Sequence, residues 1–203
     1  SAEMYGEKIA IRTKQKKEII DKSYIALKAD SEAFSRTLEK YALRGKHVAL
    51  LGPTSYEWIV GYFGTVNSGG VVVPIDKELP AADICDELHR ADVEVLVYDS
   101  SYADIAAQVR RDCPQVTSYF EMQREAHGED VWSLRRCLEE NCGAFDEPID
   151  REKLSVIMYT SGTTGKSKGV MLNHRNLIDN VVHLEMGIEP GTAVLMTVLP
   201  IHH

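Results

Sequence analysis

Residues 154–173 read LSVIMYTSGTTGKSKGVMLN. The apolar runs at residues 154–158 and 169–173 both predict β-strands, because such runs fit a buried or half-buried sheet. Between them, glycines alternate with serines, threonines and lysines. Glycine lets backbone N–H groups turn toward an anion, hydroxyl groups add donors, and lysine adds positive charge. The segment therefore predicts a hairpin whose loop cradles phosphate.

Other phosphate-binding loops fit the segment less well. A Walker A loop needs a glycine five residues before Gly165, and Thr160 occupies that position. It also needs a helix directly after the loop, whereas residues 169–172 have an extended pattern. The chain contains no Gly-x-Gly-x-x-Gly fingerprint of a dinucleotide fold. An ordinary polar turn remains as an alternative, although such turns rarely combine this many donors with two lysines.

Residues 159–170 resemble the AMP-binding signature of the adenylate-forming superfamily, which includes acyl-CoA synthetases, peptide-synthetase adenylation domains and firefly-type luciferases. One position differs from the commonest form, because Ser167 stands where proline usually precedes the second lysine. Two further stretches follow the family's order. Residues 61–76 resemble its upstream core motif, and residues 199–203 resemble the motif Leu-Pro-x-x-His, with the histidine at His203.

The resemblance implies a role for each residue of the loop. The hydroxyl donors to the β- and γ-phosphates of ATP would be Thr160, Ser161, Thr163 and Thr164. Close approach of the backbone would need Gly162, Gly165 and Gly169, and the neutralising cations would be Lys166 and Lys168. His203 is the catalytic candidate, near the substrate carboxylate and the acyl pocket. A buried structural histidine or the stub of a terminal tag are the alternatives for it. No metal ligand is predicted within the chain.

The resemblance also implies a reaction. A carboxylate attacks the α-phosphate of ATP to give an acyl-adenylate and pyrophosphate, and the acyl group then passes to a thiol. ATP, Mg²⁺ and CoA are the implied cofactors, since donors, cations and the metal stabilise the phosphoryl charge. Residues 56–80 look most like bacterial long-chain fatty-acid–CoA ligases, which makes a fatty acid the expected substrate. Loading of a carrier protein or an amino acid stays open, as does a non-catalytic nucleotide- or protein-binding module.

The amino-acid composition argues against several other classes of protein. The net charge of −8 over 203 residues argues against a nucleic-acid partner. No apolar stretch approaches the roughly 20 residues that span a bilayer, and the polar start does not resemble a secretory leader. The four cysteines show no Cys-x-x-Cys spacing, which predicts reduced thiols and a cytoplasmic location.

Strand and helix patterns alternate along the chain. Strands are predicted at residues 47–51, 71–75, 93–98 and 193–199. Helices are predicted at residues 30–43 with Gly45 closing the helix, from near Ser55, after Pro80, at residues 102–111, and after Asn173 as a cap. This alternation predicts an α/β fold with parallel-sheet layers covered by helices, corresponding to the N-terminal part of the large domain of adenylate-forming enzymes.

The predicted domain organisation has two parts. Residues 1–150 would form a first α/β lobe, and residues 151–203 would begin a second lobe that carries the phosphate-binding loop. The polar and weakly patterned segment at residues 121–151 would join them. The rest of such an enzyme, including its small C-terminal domain, is expected to lie beyond this chain. This fragment alone is therefore expected to be inactive.

Overall fold

The computed structural model describes residues 2–15, 18–160 and 167–182. Its strands are β1 (Ile9–Gln15), β2 (Glu18–Ser23), β3 (His47–Leu51), β4 (Val71–Ile75), β5 (Val95–Tyr98), β6 (Ser118–Glu121), β7 (Trp132–Ser133), β8 (Leu154–Thr160) and β9 (Lys168–Asn173). Its α-helices are α1 (Ala2–Tyr5), α2 (Tyr24–Lys40), α3 (Tyr56–Asn67), α4 (Ala81–Arg90), α5 (Ala103–Asp112), α6 (Leu134–Glu140) and α7 (His174–Val182).

Within the described ranges, seven strands form one sheet in the order β7-β6-β5-β3-β4-β8-β9. All neighbouring pairs are parallel except β8 and β9, which form an antiparallel hairpin at one edge. Strands β1 and β2 form a separate antiparallel hairpin. The predicted α/β fold is therefore confirmed, and the predicted hairpin makes the sheet mixed at this edge. The antiparallel edge follows from the short loop, because parallel neighbours need a much longer crossover.

The sheet is covered by helices on both faces. Along β3, Val48 and Leu50 pack with residues of α2 and α3 in one apolar cluster. Ala49 and Leu51 point to the opposite face and pack with residues of α4 and α5 in a second cluster. Alternate side chains of a strand point to opposite faces, so a strand buried on both sides reads as a continuous apolar run. This is why the central strands are visible in the sequence.

Close packing of α2 and α3 depends on a glycine. A Cβ atom at Gly64 would lie 2.7 Å from Cδ1 of Phe34 and 2.9 Å from the carbonyl oxygen of Ser31. The Ser35 hydroxyl donates to the carbonyl of Gly64 at 2.8 Å, which adds a polar contact at the same crossing. The two helices therefore approach through the space that a side chain would fill.

The helix boundaries agree with the local sequence signals at several points. The hydroxyl of Ser55 accepts from the N–H of Trp58 at 3.1 Å, as expected of an N-cap residue. Gly69 follows α3 with a φ of 74°, the left-handed conformation that is typical of a residue just past a helix end. Pro80 directly precedes α4, also as predicted. Asn173 caps α7, since its side-chain oxygen accepts from the N–H of Asn176 at 2.9 Å.

Several parts of the fold differ from the sequence predictions. Helix α2 begins at Tyr24, six residues before the predicted start, with Ser23 as its cap, and it ends at Lys40. The first left-handed residue after it is Ala42 rather than Gly45. The segment at residues 121–151 is not a plain connection, since it contains β7 and α6. The β1–β2 hairpin and strand β6 have no counterpart among the predicted elements.

Two predictions of organisation stay open. The predicted strand at residues 193–199 lies outside the described residues. The division at residue 150 stays a prediction, although β8 joins the same sheet as the strands before it through the pair Val72 and Val156.

Candidate functional site

The hairpin of β8 and β9 holds both ends of the glycine-rich loop together. Thr160 pairs with Lys168, and Tyr159 pairs with Gly169, in an antiparallel register. The Thr160 hydroxyl donates to the carbonyl oxygen of Lys168 at 3.5 Å. The ladder of strand pairs thus holds the two ends of the loop together.

The structure places some of the predicted site residues and leaves others aside. Thr160, Lys168 and Gly169 lie in the hairpin, where the register brings them together. The predicted residues that lie outside the described ranges are Ser161, Gly162, Thr163, Thr164, Gly165, Lys166 and His203. Their roles stay predictions.

Lys168 is exposed at the start of β9. No ion pair joins its ammonium group to a carboxylate within the described ranges, so its charge is not neutralised by that part of the chain. Thr160 is exposed at the opposite end of the loop. A hydroxyl donor and an ammonium group on paired positions suit the binding of a phosphate oxygen.

Gly169 has a packing role in the hairpin. A Cβ atom there would lie 3.0 Å from Cγ2 of Ile157 and 3.4 Å from the ring of Tyr159. The first distance is tighter than ordinary van der Waals contact, so the side chains across the hairpin would have to move. The absence of a side chain at Gly169 therefore lets the Tyr159 ring lie across β9.

The base of the loop also contacts helix α4. The Tyr159 hydroxyl donates to the carbonyl oxygen of Glu87 at 2.9 Å. The guanidinium of Arg90 lies over the Tyr159 ring, 4.9 Å from its centroid. Arg90 donates from Nη1 to the carbonyl oxygen of Ser167 at 2.8 Å and from Nη2 to its hydroxyl at 3.0 Å. No sequence signal reveals this contact, since Arg90 and Ser167 are 77 positions apart.

Burial shifts the pKa of ionisable groups in this part of the protein, and the nearby Arg90 charge opposes two of these shifts. Burial raises the pKa of the Tyr159 hydroxyl, and the Arg90 charge opposes that rise. Burial also raises the pKa of the Glu87 carboxyl, while the Ser167 hydroxyl and Arg90 act in the opposite direction. The first residue of α7, His174, has a pKa lowered by burial.

Acidic and metal-ligating side chains do not converge in this part of the protein. In the described ranges, no three histidine, cysteine, aspartate or glutamate side chains lie close enough together to hold a metal ion. Mg²⁺ in nucleotide sites is held by one or two carboxylates together with the phosphates, so the expected Mg²⁺ stays a proposal. No helix of the same ranges is long and apolar enough to cross a membrane.

Comparison with known proteins decides the family. The model of the AMP-binding enzyme family matches residues 1–203. The chain belongs to the AMP-binding enzyme family. The predicted membership is thereby confirmed at the level of the superfamily. The long-chain fatty-acid branch is a finer assignment that this match does not reach.

Relatives of this AMP-binding chain include two kinds of enzyme. Tyrocidine synthase 2 of Brevibacillus parabrevis is 34% identical over 162 residues, which are 79% of this chain and 4% of that protein. The 4-coumarate–CoA ligase-like protein 9 of Oryza sativa subsp. japonica is 26% identical over 188 residues, which are 89% of this chain and 33% of that protein. The family supports an adenylate-forming ligase, and these two relatives leave its acceptor and its acid open.

A solved structure supports the fold. The adenylation domain of a carboxylate reductase from Mycobacterium chelonae matches with a TM-score of 0.79, covering 99% of this chain and 37% of that one at 21% identity. At that identity the likeness concerns the fold alone. The chain spans about a third or less of the two curated relatives described above. The activity of a whole protein is therefore a matter of proposal.

Proposed function

We propose that the protein containing this chain activates a carboxylic acid with ATP. A carboxylate oxygen attacks the α-phosphorus of ATP, the bond to pyrophosphate breaks, and an acyl-adenylate forms. A thiol then attacks the acyl carbon and AMP leaves. The observation that carries the proposal is the β8–β9 hairpin with its signature sequence, in which Thr160 and Lys168 face each other across the ends of the loop.

In this proposal the hairpin binds and orients the phosphates. Lys168 supplies an ammonium charge for a non-bridging oxygen. The Thr160 hydroxyl, which donates to the carbonyl of Lys168 in the structure, turns to donate to the phosphate instead. Donors fixed before the reaction stabilise developing phosphoryl charge without reorganising at the transition state. Ser161, Gly162, Thr163, Thr164, Gly165 and Lys166 keep the binding roles that the sequence predicts, and His203 keeps its place near the acid.

A fatty acid as the substrate and CoA as the acceptor form the finer part of the proposal. The resemblance of residues 56–80 to long-chain fatty-acid–CoA ligases supports it. The second candidate is loading of a carrier protein with an amino acid, favoured by the 34% identity with tyrocidine synthase 2. A cytoplasmic location is inferred from the thiols, because all four cysteines are free.

Pyrophosphate exchange tests the adenylation step. In the full-length protein that contains this chain, carboxylate-dependent exchange of pyrophosphate into ATP should be measurable, and Lys168→Ala should slow it by about 100-fold. Lys153→Ala is the matched control. Lys153 is also exposed, but it precedes β8 at the opposite end of the strand, roughly 20 Å from the loop.

The outcomes separate the possibilities. Unchanged exchange in the Lys168→Ala variant would remove the proposed role of this lysine. Absence of exchange with fatty, aryl and amino acids in the wild type would remove the proposed activity itself. Where exchange occurs, the thioester product distinguishes the acceptors, because it forms either on CoA or on a carrier's phosphopantetheine thiol.

A further inference from the structure

Arg90 connects helix α4 to the C-terminal end of the loop. Its guanidinium makes three hydrogen bonds in two directions. Nε donates to the Asp86 carboxylate at 2.9 Å, one turn earlier in α4. Nη1 and Nη2 donate to the carbonyl and the hydroxyl of Ser167, at 2.8 Å and 3.0 Å. A single side chain thus spans from a helix to the residue that precedes Lys168.

The Arg90 guanidinium restrains the conformation of Ser167. The guanidinium is a rigid planar fork, and Asp86 holds one of its edges while Ser167 occupies the other. Because both the backbone and the side chain of Ser167 are held, its position and its orientation are fixed together. Serine does not restrict its own φ angle as proline does, so this contact supplies a restraint that the residue lacks.

Stacking on Tyr159 extends the restraint to the other strand. The Arg90 guanidinium lies 4.9 Å from the centroid of that ring, and the Tyr159 hydroxyl donates to the carbonyl of Glu87. Helix α4 therefore holds Tyr159 of β8, just before the loop, and Ser167, the last residue of the loop. Lys168 follows Ser167 directly, and its position depends on the same contact.

We propose that Arg90 is a positioning residue for the phosphate-binding loop, acting through Ser167 to fix Lys168 without touching the nucleotide. This inference rests on the proposed function, because it assigns Arg90 an effect on ATP use. An arginine on the outer face of a helix could instead stabilise only that helix through its pair with Asp86. A positioning role predicts that substitution of Arg90 changes the use of ATP. A role confined to the helix predicts no change in ATP use and only a small change in stability, because an exposed ion pair contributes little to stability.

The test uses the full-length protein that contains this chain and compares Arg90→Gln with Arg135→Gln. Arg135 is an equivalent arginine on α6, paired with Glu139 four residues later and remote in sequence from the loop. Pyrophosphate exchange is measured against ATP concentration and against acid concentration. We expect Arg90→Gln to lower kcat/KM for ATP by roughly 10-fold, as for loss of a charged hydrogen bond, with KM for the acid and the melting temperature unchanged. Arg135→Gln should match the wild type.

Two further variants test whether Arg90 acts through Ser167. Arg90→Lys keeps one donor and loses the fork, so it should recover part of the activity. Ser167→Ala removes only the hydroxyl contact and should cost about 3-fold. The double variant of Arg90→Gln and Ser167→Ala should be no worse than Arg90→Gln alone, because residues in one contact are not additive. Wild-type kcat/KM in Arg90→Gln, or additive losses, would overturn the inference.

Hydrogen exchange gives a readout that does not depend on activity. Peptides covering residues 160–170 should exchange faster in Arg90→Gln than in the wild type or in Arg135→Gln. If the wild type activates none of the acids offered, the proposed function is wrong. Hydrogen exchange still shows in that case whether Arg90 orders the loop. Unchanged hydrogen exchange of residues 160–170 in Arg90→Gln would refute the positioning role by itself.

Discussion

Substitution of Gly64 by alanine tests how the helical layer is built. The added Cβ would lie 2.7 Å and 2.8 Å from two carbons of Phe34 and 2.9 Å from the carbonyl oxygen of Ser31. The Phe34 ring is fully buried, and the carbonyl belongs to the backbone of α2. Neither neighbour can move without displacing the helix, so the clash has to be relieved by separating α2 from α3.

The expected loss of stability in Gly64→Ala follows from two opposing effects. Overpacking of a buried site costs about 1–3 kcal/mol. Alanine in a helix interior gains about 1 kcal/mol over glycine. Because backbone is among the atoms met, the cost lies at the upper end, and the expected net loss is about 2 kcal/mol. For a domain of this size that corresponds to a fall in melting temperature of about 4–8 °C.

Gly61 in the same helix provides the matched control. Its added Cβ would meet only side-chain methyl groups, 3.1 Å from Cδ2 of Leu50 and 3.8 Å from Cγ1 of Val97. Such groups can give by a few tenths of an ångström, so Gly61→Ala should stay within about 0.5 kcal/mol of the wild type. Urea unfolding followed by tryptophan fluorescence measures both variants. Equal stability of Gly64→Ala and Gly61→Ala would refute the close-approach argument.

Two further predictions concern ionisable groups. Burial raises the pKa of the Cys137 thiol to about 12, and Cys113, also buried, has its pKa raised to about 12, whereas Cys142 is exposed. Iodoacetamide should therefore modify Cys142 first, with the other two reacting only on unfolding, and mass spectrometry of the labelled peptides would reveal the opposite order. Burial raises the pKa of Glu87 in the folded state, so its contribution to stability is greatest below its ordinary value and is lost as pH rises. The stability of Glu87→Gln relative to the wild type should accordingly increase from about pH 4 to about pH 7, and a constant difference in urea midpoints would contradict the assignment.

The central strands can be predicted from the sequence because their burial determines their composition. The predicted bounds at residues 47–51 and 71–75 are those of the structure, since a strand buried on both faces is an unbroken apolar run. The start of α3 can also be predicted from the sequence, because Ser55 is a local N-cap signal. The hairpin of β8 and β9 follows from the two apolar runs around the loop.

Elements without such a local signal escape prediction. The two residues between β1 and β2 in the sequence are lysines, not one of the Asn-Gly or Asp-Gly pairs that mark tight hairpins. Helix α6 has seven residues, of which only Leu134 and Cys137 are buried, so its apolar pattern is too short to recognise. The start of α2 is predicted too late because its first turn carries no acidic residue to reinforce the Ser23 cap.

The candidate site divides in the same way. The donors of the loop can be read from the sequence because they are contiguous, whereas the residues that hold its base cannot. Tyr159, Gly169 and Ser167 belong to the signature, but their contacts show a structural role. Gly169 leaves room for the Tyr159 ring, and that ring and Ser167 both contact Arg90. A signature residue is thus not automatically a ligand. Since antiparallel pairing fixes Thr160 opposite Lys168, a change at the base would move both ends of the loop together, and its effect on phosphate binding would exceed what its distance from the phosphate suggests.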